Sequence, residues 1–241
     1  MARVTDNGIV GMVGNAVFYS MNGKSYVRAK PKARKKKRNQ PPNPLNTIFG
    51  KVSTYGSGMA KMMSKEFLFP FKLETYNRVR GWMRNQYVAN QDKAEWILTS
   101  QSSDMCQLHG NADLRDFWKT TLTVKDSGKG KIIIEIPEFN PTKDVKVPVR
   151  TMKVNLKLIA VTSAFKKAEI PCTMCTTQYS FNYSNNPVPA QQFVLQTAAG
   201  TGDIAFVVVA LKFEVAEKEK IFFNNELRWL PAAIVAIGKL T

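Results

Sequence analysis

Lys153-Val154-Asn155-Leu156-Lys157-Leu158 alternates polar and apolar side chains at every step. A period of two is the mark of a strand that turns one face to a core. The expected arrangement sets Val154, Leu156 and Leu158 inward and leaves Lys153, Asn155 and Lys157 on a basic, wet face. The same pattern spreads outward from this run. Thr120 to Lys125 and Lys131 to Ile136 flank Ser127-Gly128-Lys129-Gly130, which reads as a hairpin. Further strands are expected at Val145 to Val149, Lys153 to Thr162, Thr176 to Tyr183, Gln191 to Gln196, Ile204 to Val215 and Ala232 to Lys239. So many short strands over residues 120–241 predict an antiparallel β-sandwich, jelly-roll-like or immunoglobulin-like.

Towards the N-terminus the period becomes helical. Asn43-Pro44 reads as an N-cap followed by proline at the first helical position. Leu45, Ile48, Phe49, Val52, Met59, Met62 and Met63 then recur near helical spacing, with Gly50, Gly56 and Gly58 leaving room for another backbone. Lys72 to Val88 is a second helix, with Leu73, Tyr76, Val79, Met83 and Tyr87 apolar. Arg78, Arg80 and Arg84 give it a basic surface near Trp82, a pairing that suits phosphate contact with base stacking. A solvated basic face over buried aromatics is the other reading. Short helices are expected at Asp92 to Leu98 and Ala112 to Lys119. The fold class is therefore α+β, in three segments: an N-terminal β-hairpin and basic arm over 1–44, a helical segment over 45–119 and the sandwich over 120–241.

The charge is concentrated rather than spread. Lys24 to Pro44, K-S-Y-V-R-A-K-P-K-A-R-K-K-K-R-N-Q-P-P-N-P, carries nine basic residues and no acid. Residues 1–65 sum to +12, thirteen basic residues against Asp6, whereas the whole chain is +17. Lys35, Lys36, Lys37 and Arg38 repel one another too strongly to sit beside a low-dielectric core. They need water, phosphate or another chain's carboxylates. Lys24, Arg28, Lys30, Lys32, Arg34, Lys35, Lys36, Lys37 and Arg38, with Arg78, Arg80 and Arg84, are thus candidate contacts for DNA or RNA, or for acidic neighbouring subunits. Within the same stretch Asn22-Gly23 suits a two-residue turn between Val17-Phe18-Tyr19 and Tyr26-Val27-Arg28. A ribbon of two strands is marginal in water, so Val17, Phe18, Tyr19, Tyr26 and Val27 are expected to pair with the body of the fold or with a neighbouring copy.

Gly11 to Lys30, G-M-V-G-N-A-V-F-Y-S-M-N-G-K-S-Y-V-R-A-K, resembles the opening of a family of short, uncharacterised Bacteroidota proteins. That family begins with a glycine-rich strand, an aromatic pair, a Gly-Lys turn and a Tyr-x-Arg strand leading into a basic segment. Ile134 to Pro141, I-E-I-P-E-F-N-P, is similar to the start of its β-rich second half. The resemblance implies a bacterial source and an α+β layout, and it brings no activity.

The residues that could carry chemistry are few. Cys106-Gln107-Leu108-His109 and Cys172-Thr173-Met174-Cys175 hold all three cysteines and the one histidine in two pairs of equal spacing. Each pair could present two ligands, and together they would complete a Cys₃His structural zinc site; no other cofactor is expected. Against this, Cys172 to Cys175 borders a strand, where residues three apart face opposite sides. A redox Cys-x-x-Cys and small buried hydrophobes are the remaining readings. The chain has no G-x-S-x-G, no G-x-x-x-x-G-K-[ST] and no G-x-G-x-x-G after a strand, so no catalytic residue is assigned. No apolar run reaches the roughly 18 residues of a membrane span, and the N-terminus lacks a signal-peptide pattern. An odd cysteine count suits a reducing compartment. These features predict a non-enzymatic structural subunit, cytoplasmic or within an assembled particle, that builds a coat, tube or filament through its N-terminal arm. A sequence-nonspecific nucleic-acid-binding protein acting as monomer or dimer is the alternative.

Overall fold

Ile204 to Leu211, I-A-F-V-V-V-A-L, is apolar at every position, which a strand can sustain only where both its faces are covered. In a computed structural model all eight residues are buried. The structure describes residues 3–5, 8–21, 24–32, 44–67, 69–90, 98–100, 105–164, 172–200, 202–218 and 220–241. The chain forms two compact units, Met1–Pro42 and Asn43–Thr241. The first holds β1 (Arg3–Thr5), β2 (Gly8–Val13), β3 (Ala16–Met21) and β4 (Lys24–Ala29), hydrogen-bonded in chain order as one antiparallel sheet.

The second unit begins with α1 (Pro44–Met63), a 3₁₀ turn at Ser64–Glu66 and α2 (Leu73–Asn90). There follow β5 (Thr99–Ser100), β6 (Cys106–Gln107), α3 (Leu114–Phe117), β7 (Thr123–Asp126), β8 (Lys131–Ile136) and α4 (Pro141–Asp144). The last strands are β9 (Thr151–Ser163), β10 (Cys172–Asn182), β11 (Gln191–Gln196), β12 (Ile204–Glu217), β13 (Lys220–Phe223) and β14 (Ala232–Lys239). The helical and β-rich segments therefore belong to one unit. The fold is α+β, and its C-terminal half is an antiparallel β structure.

These ten strands form one sheet, ordered β10-β9-β12-β14-β5-β7-β8-β11, with β13 paired to β12 and β6 to β14. The two layers are halves of this one sheet. It curls until its end strands approach, with the Tyr179 ring of β10 5.5 Å from the Phe193 ring of β11. Between the halves, Val154, Leu156 and Leu158 of β9 and Val207 and Val209 of β12 share a core with Ile132, Ile134 and Ile136 of β8. On the outer face, Ile159, Val161, Phe206, Val208 and Ile234 pack against Val52, Met59 and Met63 of α1 and Val79 and Met83 of α2. The central strands are thereby covered on both sides.

Three expectations are corrected. Val145 to Val149 is not a strand: Asn140 caps a helical turn by accepting from the Thr142 N–H at 3.1 Å, Pro141 starts that turn, and only Val145 makes a β-bridge, to Trp118. The helix expected over Ala112 to Lys119 shortens to Leu114–Phe117 because Asp113 caps it, accepting from Arg115 N–H at 2.9 Å. The outer face of β9 is not wet. Lys157 Nζ reaches Glu66 Oε2 at 2.6 Å and the Glu66 carbonyl at 3.0 Å, because the turn after α1 lies over β9. Asn155, only 3% exposed, donates to Glu214 Oε1 at 2.8 Å and accepts from Gln178 and Ser180. The helix expected at Asp92 to Leu98 falls, except for Leu98, outside the described residues.

The helices approach closely at Gly56, where a Cβ would lie 3.3 Å from Met83 Sδ and 3.5 Å from Arg80 Cα, whereas one at Gly50 would meet nothing within 4 Å. Gly50→Ala should therefore raise stability by roughly 0.5–1 kcal/mol through helix propensity. Gly56→Leu should lower it by about 1–3 kcal/mol through overpacking. Urea melts of the two variants and the parent check both signs.

Candidate functional site

The N-terminal sheet is built from two tight hairpins. Met21 pairs with Lys24, leaving the two-residue connection expected at Asn22-Gly23, whose own residues lie outside those described. Val13 pairs with Ala16 across a second two-residue loop, Gly14-Asn15, with Gly14 at φ +54° in the left-handed region. Sequence reasoning found the first hairpin and missed β1 and β2. The glycines at 8 and 11 hid the strand pattern, and the signal that could have found it was the Gly-Asn dipeptide.

The β3–β4 register sorts the side chains by parity. Phe18 is opposite Val27 and Ala16 opposite Ala29, and Val13 joins Ala16 on that side. With Ser20 and Ser25, these residues make a face without a single charge. The other face pairs Tyr19 with Tyr26, Val17 with Arg28 and Met21 with Lys24. There the two tyrosine rings stack at 5.5 Å, and the Arg28 guanidinium lies 5.6 Å from the centre of the Tyr19 ring. The five expected assembly residues are thus divided: Phe18 and Val27 on the uncharged face, Val17, Tyr19 and Tyr26 on the cationic one. None of the described residues of this sheet is buried, and Val13 and Val27 are 55% and 61% exposed. Lys24, Arg28, Lys30 and Lys32 are exposed as well. Arg34, Lys35, Lys36, Lys37 and Arg38 lie outside the described residues.

The arginines of α2 do not form one stripe, because successive residues turn by about 100°. Arg80 donates from Nε to Ser57 Oγ at 2.6 Å, tying α2 to α1, and Arg84 lies 5.4 Å from the Phe49 ring on that same side. Arg78 points to the other flank, where its Nη1 donates to the Gln107 carbonyl at 3.2 Å. Trp82 is buried with its ring edge-on to Phe206, out of reach of a base.

The cysteines and the histidine are spread through the second unit. Cys106 is buried on β6 beside Ile234 of β14, so β14, β12 and β9 separate it from β10. On β10, Cys172 packs with the outer core and Cys175 with the inner one. Two sulfurs on opposite faces of a strand cannot bond to each other. Among the described residues, no three His, Cys, Asp or Glu side chains gather to hold a metal ion. Burial raises the pKa of the Cys172 thiol, partly offset by the neighbouring Ser163 hydroxyl, so its thiolate is disfavoured. His109 is held as a neutral ring: Nε2 donates to the Leu230 carbonyl at 2.5 Å, and Nδ1 accepts from the Asn111 N–H at 3.3 Å. Burial pushes its pKa down, the Leu230 carbonyl opposes this, and the Arg78 charge adds to the lowering.

No protein-family model, curated protein or solved structure matches the chain.

His109 is the chain's one histidine, so its titration can be isolated. Because the folded state favours the neutral ring, the unfolded chain takes up a proton first as pH falls below the ordinary value of 6.5. His109 therefore adds no pH dependence well above that value and costs stability below it, until the folded ring also protonates. Unfolding free energies across this range should fall less steeply with acid in His109→Gln than in the parent.

Proposed function

We propose that this chain is a non-enzymatic structural subunit that assembles with copies of itself into a coat, tube or filament through its N-terminal sheet. The observation that carries this reading is the uncharged face of that sheet, Val13, Ala16, Phe18 and Val27, on which Val13 and Val27 are exposed and Ala16 and Phe18 are not buried by the described residues. An exposed apolar sheet face is an association surface. Two such faces can pack about 10 Å apart, as in any sandwich. The opposite faces cannot meet in this way, because they would bring Lys24 and Arg28 of two copies together. β1 and β4 are also edge strands, able to accept or donate a strand by backbone hydrogen bonds with little demand on side chains.

The second unit offers another attachment point. Among the described residues β13 pairs with β12 alone, and Ile221, Phe222 and Phe223 are 64%, 44% and 41% exposed. Though only four residues long, this edge strand presents three exposed apolar side chains to a partner. A subunit with two unlike contacts extends into shells or polymers, where one with a single two-fold contact stops at a dimer. No helix among the described residues is long and apolar enough to cross a membrane. The alternative, a nonspecific nucleic-acid-binding protein acting as monomer or dimer, draws on the cationic face and needs no assembly.

Nuclease-treated protein, followed by sedimentation velocity and negative-stain microscopy, separates the two. The parent should form large, regular species. Val13→Glu combined with Val27→Glu should leave single chains with an unchanged melt of the second unit, and Arg28→Gln should assemble like the parent. A parent that stays monomeric at every concentration, or a double variant that assembles as well as the parent, overturns the proposal.

A further inference from the structure

We infer that the opposite face of the N-terminal sheet is a binding track for single-stranded nucleic acid, formed by Lys24, Tyr26 and Arg28 of β4 with Tyr19 of β3 and continued by Lys30 and Lys32. This deepens the assembly reading and rests on it in one respect: the uncharged face is the one taken up by neighbouring subunits, which leaves this one free.

The spacing carries the inference. Along β4 and past its end, every second residue is a cation or a tyrosine, Lys24, Tyr26, Arg28, Lys30 and Lys32, while the residues between, Ser25, Val27, Ala29 and Pro31, are uncharged. Alternate residues of an extended chain share a side and stand about 7 Å apart. That repeat is close to the separation of successive phosphates on an extended single strand. The row is exposed throughout, and the described residues of the unit include no carboxylate. Among the described residues, no ion pair therefore occupies these charges.

The tyrosines select among polyanions. Tyr19 and Tyr26 stack on each other at 5.5 Å with 20° between their planes, and Tyr26 is 38% exposed. Bases of a single strand offer flat faces to extend this stack, and such stacking tolerates any base. A duplex keeps its base faces inside, and an acidic peptide has no planar groups to offer.

Fluorescence anisotropy with a labelled oligothymidylate, across a salt series, tests the track on the full chain. Binding should weaken linearly in log–log form as counterions are released. Tyr26→Ala should weaken it about tenfold at an unchanged salt slope, by loss of stacking, and Tyr26→Phe should restore parent affinity. Arg28→Gln should weaken binding and reduce the slope by about one phosphate contact. The Val13→Glu, Val27→Glu chain should still bind as single molecules, so failure of assembly and failure of the track are read separately. Parent affinity in Tyr26→Ala, or equal competition by duplex DNA or polyglutamate, overturns the inference.

Discussion

The structure depends on giving β9, β12 and β14 cover on both faces. Ile204 to Leu211 of β12 and Ala232 to Ile237 of β14 have no polar side chain to turn towards water, so one layer beside them is not enough. The inner cover is the other half of the same sheet, curled back until Tyr179 meets Phe193. The outer cover is the α1–α2 hairpin, whose Val52, Met59, Met63 and Met83 are buried against Phe206 and Val208. Close packing of that hairpin needs the backbone approach at Gly56 and the Arg80–Ser57 hydrogen bond. Each apparent irregularity of the helices thus follows from the strands they protect.

Where β9 and β12 run beyond β14, the outer face changes from apolar to polar and the helical cover ends. Lys157 with Glu66, and Asn155 with Glu214, Gln178 and Ser180, close this boundary by satisfying one another. Half-buried polar groups must be paired, because an orphaned one costs more than a formed bond returns. This layer fixes where the 3₁₀ turn at Ser64–Glu66 sits on the sheet. It also lets β12 continue into the hairpin with β13 without exposing the inner core.

How much of this the sequence disclosed follows from the range of the interactions. The inward set Val154, Leu156 and Leu158 was legible because alternation is local. The fate of Lys157 was not, since its partner Glu66 lies 91 residues away. Val145 to Val149 looked like a strand by composition, but the Asn140-Pro141 cap took the chain into a turn and Pro148 cannot donate to a ladder. Cys172 and Cys175 were correctly suspected of facing opposite ways, from strand geometry alone. At the candidate site the total charge could be read directly, while the placing of Lys24 and Arg28 on one face needed the register between β3 and β4.

That register is what gives the N-terminal sheet two distinct faces. A slip of one residue between β3 and β4 would carry Lys24 and Arg28 onto the side of Phe18 and Val13, and neither face would then be uniform in character. Two features hold it. The two-residue connection fixes Met21 against Lys24, and the Tyr19–Tyr26 stack rewards only the pairing that puts the rings directly opposite. A sheet with no buried side chain has little hydrophobic energy of its own to enforce its register. Turn chemistry and one aromatic pair must therefore do so locally. The separation of the uncharged face from the cationic one is in this sense encoded by a two-residue connection and two tyrosines.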